Sequence, residues 1–353
     1  MAFPKVSIIF KGVASNAVQR GSKGVVALIL KDATAGVHNL GSVAEIPEGL
    51  SAPNKKYIQD AFIGGVSAPR KVIVVVIATS ATDFNGGLAT LATMTFDYLA
   101  IPALAALETA AVMAWVKDQR DNKRKKIKAV LPDAAGDHEG IINFATSGIK
   151  VGTTTYTSAQ YCARIAGILA GTPMNTSATF FTLPEVTDVP ALTDAEKDTL
   201  IDAGKLIIVN DGRKCKIARA INSLKTVSAD KSEQFKKIKI VDIIDLIADD
   251  VRFTAEDNYI GRVTNSYDNA CILMSAINGY FASLEADNLL AQDQSSCEYD
   301  VEAKIAYLKQ IGKYVDGMKE IDVKKAPSGD KVFLKASIRP LDVMEDINIV
   351  ISL

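Results

Sequence analysis

Histidine occurs only twice in the 353 residues, tryptophan once and cysteine four times. His38 in AGVHNLG and His138 in GDHEG both stand in polar, glycine-bearing surroundings that predict solvated loops. Ser-His-Asp and Cys-His chemistry needs a histidine held against a nucleophile, and neither context supplies one. Cys162, Cys215, Cys271 and Cys297 are widely spaced, with no C-x-x-C pair. That excludes the usual zinc and iron–sulfur spacings and predicts free thiols in a reducing compartment. Neither sign of charge is in excess: 40 basic side chains face 41 acidic ones, a formal net charge of −1. A dedicated nucleic-acid binder carries a basic surplus, so no nucleic-acid partner is expected. Near-neutrality also removes the repulsion that keeps many proteins apart. The one long apolar run, Leu99–Val116, is alanine-rich and broken by Pro102 and Glu108, which predicts a buried helix and no membrane insertion. The opening MAFPKVSIIFKG lacks the apolar core and small-residue cleavage site of a secretory signal.

Short catalytic motifs are missing too. There is no G-x-S-x-G, no G-x-x-x-x-G-K-[ST], no G-x-G-x-x-G after a strand and no H-E-x-x-H. Asp249, Asp250, Glu256 and Asp257 lack the loop spacing of a calcium site and predict a solvated helix end. The basic run KDQRDNKRKKIK, Lys117–Lys128, could hold phosphates or an acidic surface, but cations at the end of a long helix complement its dipole. Asn175-Thr176-Ser177 fits a glycosylation acceptor that has no meaning without a secretory route. No catalytic residue, cofactor or metal is therefore expected. A hydrolase-like α/β enzyme whose site has no short motif stays an alternative.

What is present is a well-patterned α/β chain. GVVALILKD, KVIVVVIA, FDYLAIP and KIKAVLP read as buried strands, and ATFFTLPEV as a further strand. NKKYIQDAFIGG, Ala103–Asp121 and SAQYCARIAGILAG read as helices between them. Thr193-x-x-Glu196 is a capping box opening another helix, closed at Gly204, and Asp211-Gly212 is a hairpin turn. This alternation predicts a layered, mainly parallel α/β domain over residues 25–222. After Leu224 the pattern changes to three long helices, with a hairpin turning at Pro327–Asp330. Residues 223–340 are then a second, α+β domain.

Both ends carry β-patterned arms. PKVSIIFKG puts Val6, Ile8 and Phe10 on one face, and EDINIVISL does the same with Ile347, Ile349, Ile351 and Leu353. Residues 1–24 are read as an arm and linker, and 341–353 as an arm. Nature usually blunts an unpaired edge with lysine, proline or a bulge, and INIVISL has none. Such a segment can add to the sheet of another molecule. The same pattern also fits ends that pair with each other or with their own domain, or a strand-exchanging adaptor that closes into a small oligomer.

YIGRVTNSYDNACILMSAINGYFASLE, YDVEAKIAYLKQIG and KVFLKASIRPLDVMEDINIVISL together resemble the C-terminal region of contractile-tail sheath proteins. The likeness is to sheaths of Gram-positive myophages, defective prophages and diffocin-type phage-tail-like bacteriocins. The opening PKVSIIFKGVASNAVQRGSKGVVALILKD matches the start of the same family. The resemblance implies a subtilisin-like α/β domain without catalytic residues, and hexameric rings stacked helically around an inner tail tube. It also implies arms, here residues 4–12 and 343–353, threaded into adjacent subunits, and baseplate and tail terminator proteins as further partners. A metastable extended sleeve would contract and drive the tube through a cell envelope. Assembly would take place in the bacterial cytoplasm, before release as part of a tail or tail-like particle. Gly21, Gly24 and Pro340, in ASNAVQRGSKG and IRPLD, are the expected hinges. Lys304, Lys309 and Lys313 are expected to face an acidic tube.

Overall fold

The computed structural model describes residues 18–21, 23–229 and 231–352. The described chain divides into two compact bodies, residues 23–246 with 342–352, and residues 18–21 with 247–341.

The first body is built on β1 (Val25–Asp32), β2 (Gly36–Leu40), α1 (Ala52–Ile63), β3 (Lys71–Ala78), α2 (Asn85–Leu91), β4 (Tyr98–Ala100) and α3 (Ala106–Asp121). It continues through β5 (Lys128–Pro132), β6 (Ile141–Phe144), a small hairpin of β7 (Ile149–Val151) and β8 (Thr154–Tyr156), and α4 (Ser158–Ala170). Then come α5 (Asp194–Asp202), β9 (Lys205–Leu206), and the hairpin of β10 (Ile208–Asn210) and β11 (Cys215–Ile217). Seven strands form one sheet in the order β2-β3-β1-β4-β5-β6-β9. Only β2 runs antiparallel to its neighbour.

Strand β1 shows why its sequence is apolar on both faces. Val26, Leu28 and Leu30 join a core that also takes in Ile58 of α1 and Ile165 of α4. Val25, Ala27 and Ile29 join another, with Leu88 of α2 and Val112 of α3. A parallel sheet covered on both faces buries successive side chains in turn. Helix α4 opens on a capping box in which Thr157 Oγ1 accepts the Gln160 N–H and Gln160 Oε1 accepts the Thr157 N–H. Its Gly167 lies so close to α1 that a Cβ there would stand 2.1 Å from the Ala61 carbonyl oxygen. The box expected at Thr193–Glu196 is present as well.

Three expectations are corrected here. ATFFTLPEV is no strand: it forms turns and a single bridge, Thr182 to Lys216, and Phe180 is left-handed at φ +58°. The helix in Leu99–Val116 begins only at Ala106 and is buried on one face, with Leu107 97% exposed. His38 lies half-buried on β2, not in a loop, and His138 is buried.

Helix α6 (Ile238–Asn258) starts in the first body, and the division falls after its Leu246. The second body continues with α7 (Tyr267–Ala286), β12 (Ser296–Tyr299), α8 (Val301–Gln310), α9 (Glu320–Lys325) and β13 (Leu334–Ser337). The expected hairpin around Pro327–Asp330 does not form. Its first half is α9, and β13 pairs antiparallel with β12, from Ser296↔Ser337 to Tyr299↔Leu334. Among the described residues this sheet has two strands. No helix is long and apolar enough to cross a membrane among the described residues.

Candidate functional site

In open α/β sheets, ligands settle at the C-terminal strand ends where the strand order reverses. Here that point is the end of β1, between β3 and β4. Asp32 ends β1 there, and its carboxylate accepts the Ser51 N–H, the Ala33 N–H and the Asn54 amide, each at 2.8 Å. The Ser51 backbone bond, then those of Asn54 and Ala33, hold this carboxyl well below the usual range. Asp32 thus ties the approach to α1.

Asp121, His138 and Glu139 present donor atoms within 4.8 Å of one another. They do not suit a metal. The Gly140 N–H donates to His138 Nδ1 at 3.0 Å, which leaves the proton of the neutral ring on Nε2, the atom facing Asp121. Burial lowers the His138 pKa and so favours this neutral form. Glu139 is already held by Lys231 at 2.8 Å.

Beside them runs a buried ion network that ties α6 to the sheet. Arg120 meets both carboxylate oxygens of Asp245 at 2.9 Å. Lys128 reaches Asp242 at 2.8 Å and Asp245 at 2.9 Å, and the Tyr98 hydroxyl donates to Asp242 at 2.6 Å. Burial alone would raise the Asp245 pKa, but the adjacent Arg120 and Lys128 outweigh it and hold the carboxyl well below the usual range. Arg120 and Lys128, both within the basic run, are therefore structural.

The C-terminal arm is the part of this body that lacks a seat of its own. Ile347, Ile349 and Ile351 are 70–80% exposed, Val350 is 93% exposed, and residues 347–352 lie outside every described strand. Val6, Ile8, Phe10 and Leu353 lie outside the described residues. Immediately before the free segment, the chain is held fast. Glu345 receives the Thr179 hydroxyl at 2.6 Å and contacts Arg219 at 3.2 Å and Lys237 at 3.1 Å. Asp342 pairs with Lys237, and Asp346 with Arg219 at 2.6 Å. None of the four residues Thr179, Arg219, Lys237 and Glu345 was singled out by the sequence. The available signal was the acidic spacing of Asp342, Glu345 and Asp346 ahead of an apolar strand pattern.

The expected hinge residues are all held. The Gly21 N–H donates to Asp250 at 2.9 Å and the Gly24 N–H to Asp97 at 2.8 Å. Gly24 sits at φ +99°, where a side chain would be strained. Pro340 is buried and bridges to Leu290. Asp250 is buried and takes the Tyr280 hydroxyl at 2.6 Å, so it is not part of a solvated helix end. Lys304 also departs from expectation. It is 3% exposed, with its ammonium on the Tyr299 hydroxyl at 2.9 Å and the Lys324 carbonyl at 3.1 Å. Lys309 and Lys313 are exposed, the first paired with Asp316 at 3.0 Å and the second donating to the Pro327 carbonyl at 2.9 Å.

In the second body, one side of the β12–β13 sheet opens on an apolar cavity of about 430 Å³. Val251, Leu273, Ile277, Phe281, Leu334 and Ile338 line it. A two-stranded sheet has two edges, and no third strand covers either among the described residues.

Comparison with known proteins places these features in one family. Residues 78–223 match the family model of the phage tail sheath protein central domain, and residues 230–353 that of the phage tail sheath C-terminal domain. The tail sheath protein of Clostridium phage phiCD119 is 36% identical over 349 residues, covering 98% of this chain and 97% of that protein. The phage-like element PBSX protein XkdK of Bacillus subtilis is 32% identical over 176 residues, 48% of this chain and 37% of that protein. Among solved structures, the sheath tail protein of Desulfitobacterium hafniense superposes with a TM-score of 0.70 at 18% identity, covering 84% of this chain and 94% of that one. The helical sheath of the anti-feeding prophage in its contracted state gives 0.73 at 14% identity, covering 100% and 99%. An exposed apolar arm beyond a pinned root suits a protein that builds by joining copies, and this chain belongs to the phage tail sheath family.

Proposed function

We propose that the chain is the repeating subunit of a contractile sheath, stacked as hexameric rings around an inner tail tube and tied by strand addition between copies. Residues 347–353 of one subunit are the donated strand, and the β12–β13 sheet of a neighbour is the acceptor. The observation that carries this reading is the free arm: three isoleucines on one face, all at least 70% exposed, beyond a root that is pinned to the body.

Each backbone hydrogen bond gained contributes about 0.5–1.5 kcal/mol net. Each isoleucine buried contributes about 1.5–3 kcal/mol. Ordering the arm costs about 1–2 kcal/mol per residue. Averaged over the arm, gain slightly exceeds cost, so one joint is weak and a lattice of joints is strong. A head-to-tail joint of this kind generates rings or helical sleeves rather than closed pairs. The arm residues at the other end, Val6, Ile8 and Phe10, would make a second joint of the same type. The contracted-state sheath of the anti-feeding prophage, which shares this fold, supports a stroke in which rigid bodies repack from a kinetically trapped lattice. In that setting the inner tube, the baseplate and the tail terminator are the remaining protein partners, and assembly takes place in the bacterial cytoplasm.

Removal of residues 347–353 tests the reading. Negative-stain microscopy is expected to show tubes or rings for the full chain and none for the truncated one. Far-ultraviolet circular dichroism and the thermal midpoint are expected to stay unchanged. Normal tubes from the truncated protein would overturn strand donation.

A further inference from the structure

We infer that the cluster of Thr179, Arg219, Lys237 and Glu345 is the anchor of the C-terminal arm, and that it fixes the point at which the donated strand leaves the subunit. The inference rests on the strand-donation reading only in calling the free segment a donor. The anchor itself is a property of one chain.

Three acidic side chains, at 342, 345 and 346, converge on two cations from different parts of the fold. Arg219 follows β11, and Lys237 immediately precedes α6. Glu345 is the centre: its side chain is 7% exposed, and it engages Arg219, Lys237 and the Thr179 hydroxyl together. Thr179 is itself fixed, because its Oγ1 accepts the Ala220 N–H at 3.0 Å. Next to it, Phe180 holds a left-handed backbone (φ +58°) under the Lys216 ammonium, 4.1 Å from the ring centroid. The receiving surface is thus assembled from the 179–180 turn, β11 with the residues after it, and the approach to α6. Charge-assisted hydrogen bonds to a nearly buried carboxylate are among the stronger polar contacts available. The exposed, apolar segment begins at the next residue but one, Ile347. Pro340 is held separately, by its bridge to Leu290, so the arm turns about Asp346 rather than about IRPLD.

Glu345 also provides the test. A glutamyl endopeptidase can cut after it only when the carboxylate leaves the cluster, and cleavage then follows the population of the open form. The full-length, unassembled protein is digested and the loss of the last eight residues is followed by mass spectrometry. In the parent, this cut is expected to be slow and to accelerate in high salt. In Arg219→Ala and in Lys237→Ala it is expected to be faster by about tenfold or more, while cuts after other glutamates and the thermal midpoint stay as in the parent. If an alanine variant fails to fold, Thr179→Val, which removes one hydroxyl and keeps both charges, is expected to show a smaller acceleration. Cleavage after Glu345 that is fast in the parent, or unchanged in every folded variant, overturns the anchor. Should deletion of 347–353 leave tubes intact while these rates behave as expected, strand donation fails and the anchor stands.

Discussion

Arg120 and Lys128 belong to one basic run, yet both are buried and their acidic partners Asp242 and Asp245 lie on α6, far along the chain. Because removing one member of a buried pair strands the other charge, Arg120→Ala is expected to cost about 3–5 kcal/mol of unfolding free energy, read by urea titration. Exposed Lys123, in the same run and paired with Asp118, is expected to cost about 0–1 kcal/mol when changed to alanine. The helix-dipole reading of this run could not separate the two cases, since a pattern along one helix carries no information about acids over a hundred residues away. The same limit hid the anchor around Glu345 and the burial of Lys304. Asp137 gives a pH prediction. The Thr226 hydroxyl, then the Thr226 and Lys225 N–H groups, lower its pKa from 3.8 to about 2. A carboxyl held low stabilises the fold above its unfolded value, and that contribution is lost as pH falls from about 4 to about 2. Asp137→Asn is therefore expected to be less stable at pH 7 and to lose less stability over that window, as measured by urea midpoints at several pH values.

At the scale of the element, legibility followed the range of the interactions. The apolar strands β1 and β3, the Thr193–Glu196 capping box and the Asp211–Gly212 turn were read correctly because local pattern and tertiary setting agree. ATFFTLPEV failed because aromatic and β-branched residues advertise a strand, while Phe180 occupies a left-handed turn that no local preference announces. The hairpin at Pro327–Asp330 failed because β13 finds its partner across α8 and α9, a non-local pairing invisible to periodicity. The close approach of α1 and α4 was equally hidden. It makes a further prediction: Gly167→Val would drive a side chain into the Ala61 carbonyl, and a loss of at least about 1–3 kcal/mol is expected in thermal or urea unfolding.

For the whole molecule, the family resemblance and the free arm were legible from the sequence, and the family is established by the matches over nearly all of the chain. The expected hinges were legible only as composition: Gly21, Gly24 and Pro340 look loose in the sequence and are hydrogen-bonded or buried in the structure. Ile349→Lys places a charge on the apolar face of the arm at a position 76% exposed to solvent. The subunit is therefore expected to keep its thermal midpoint while sedimentation shows assembly lost. Ile351 stands five residues past Asp346, and five extended residues span about 17 Å. On the proposed strand donation, a tether so short has almost no slack: a neighbour it held would swivel about the clasp without drifting away, and a large change in the sleeve would be made by turning copies against one another while every tie stays fastened.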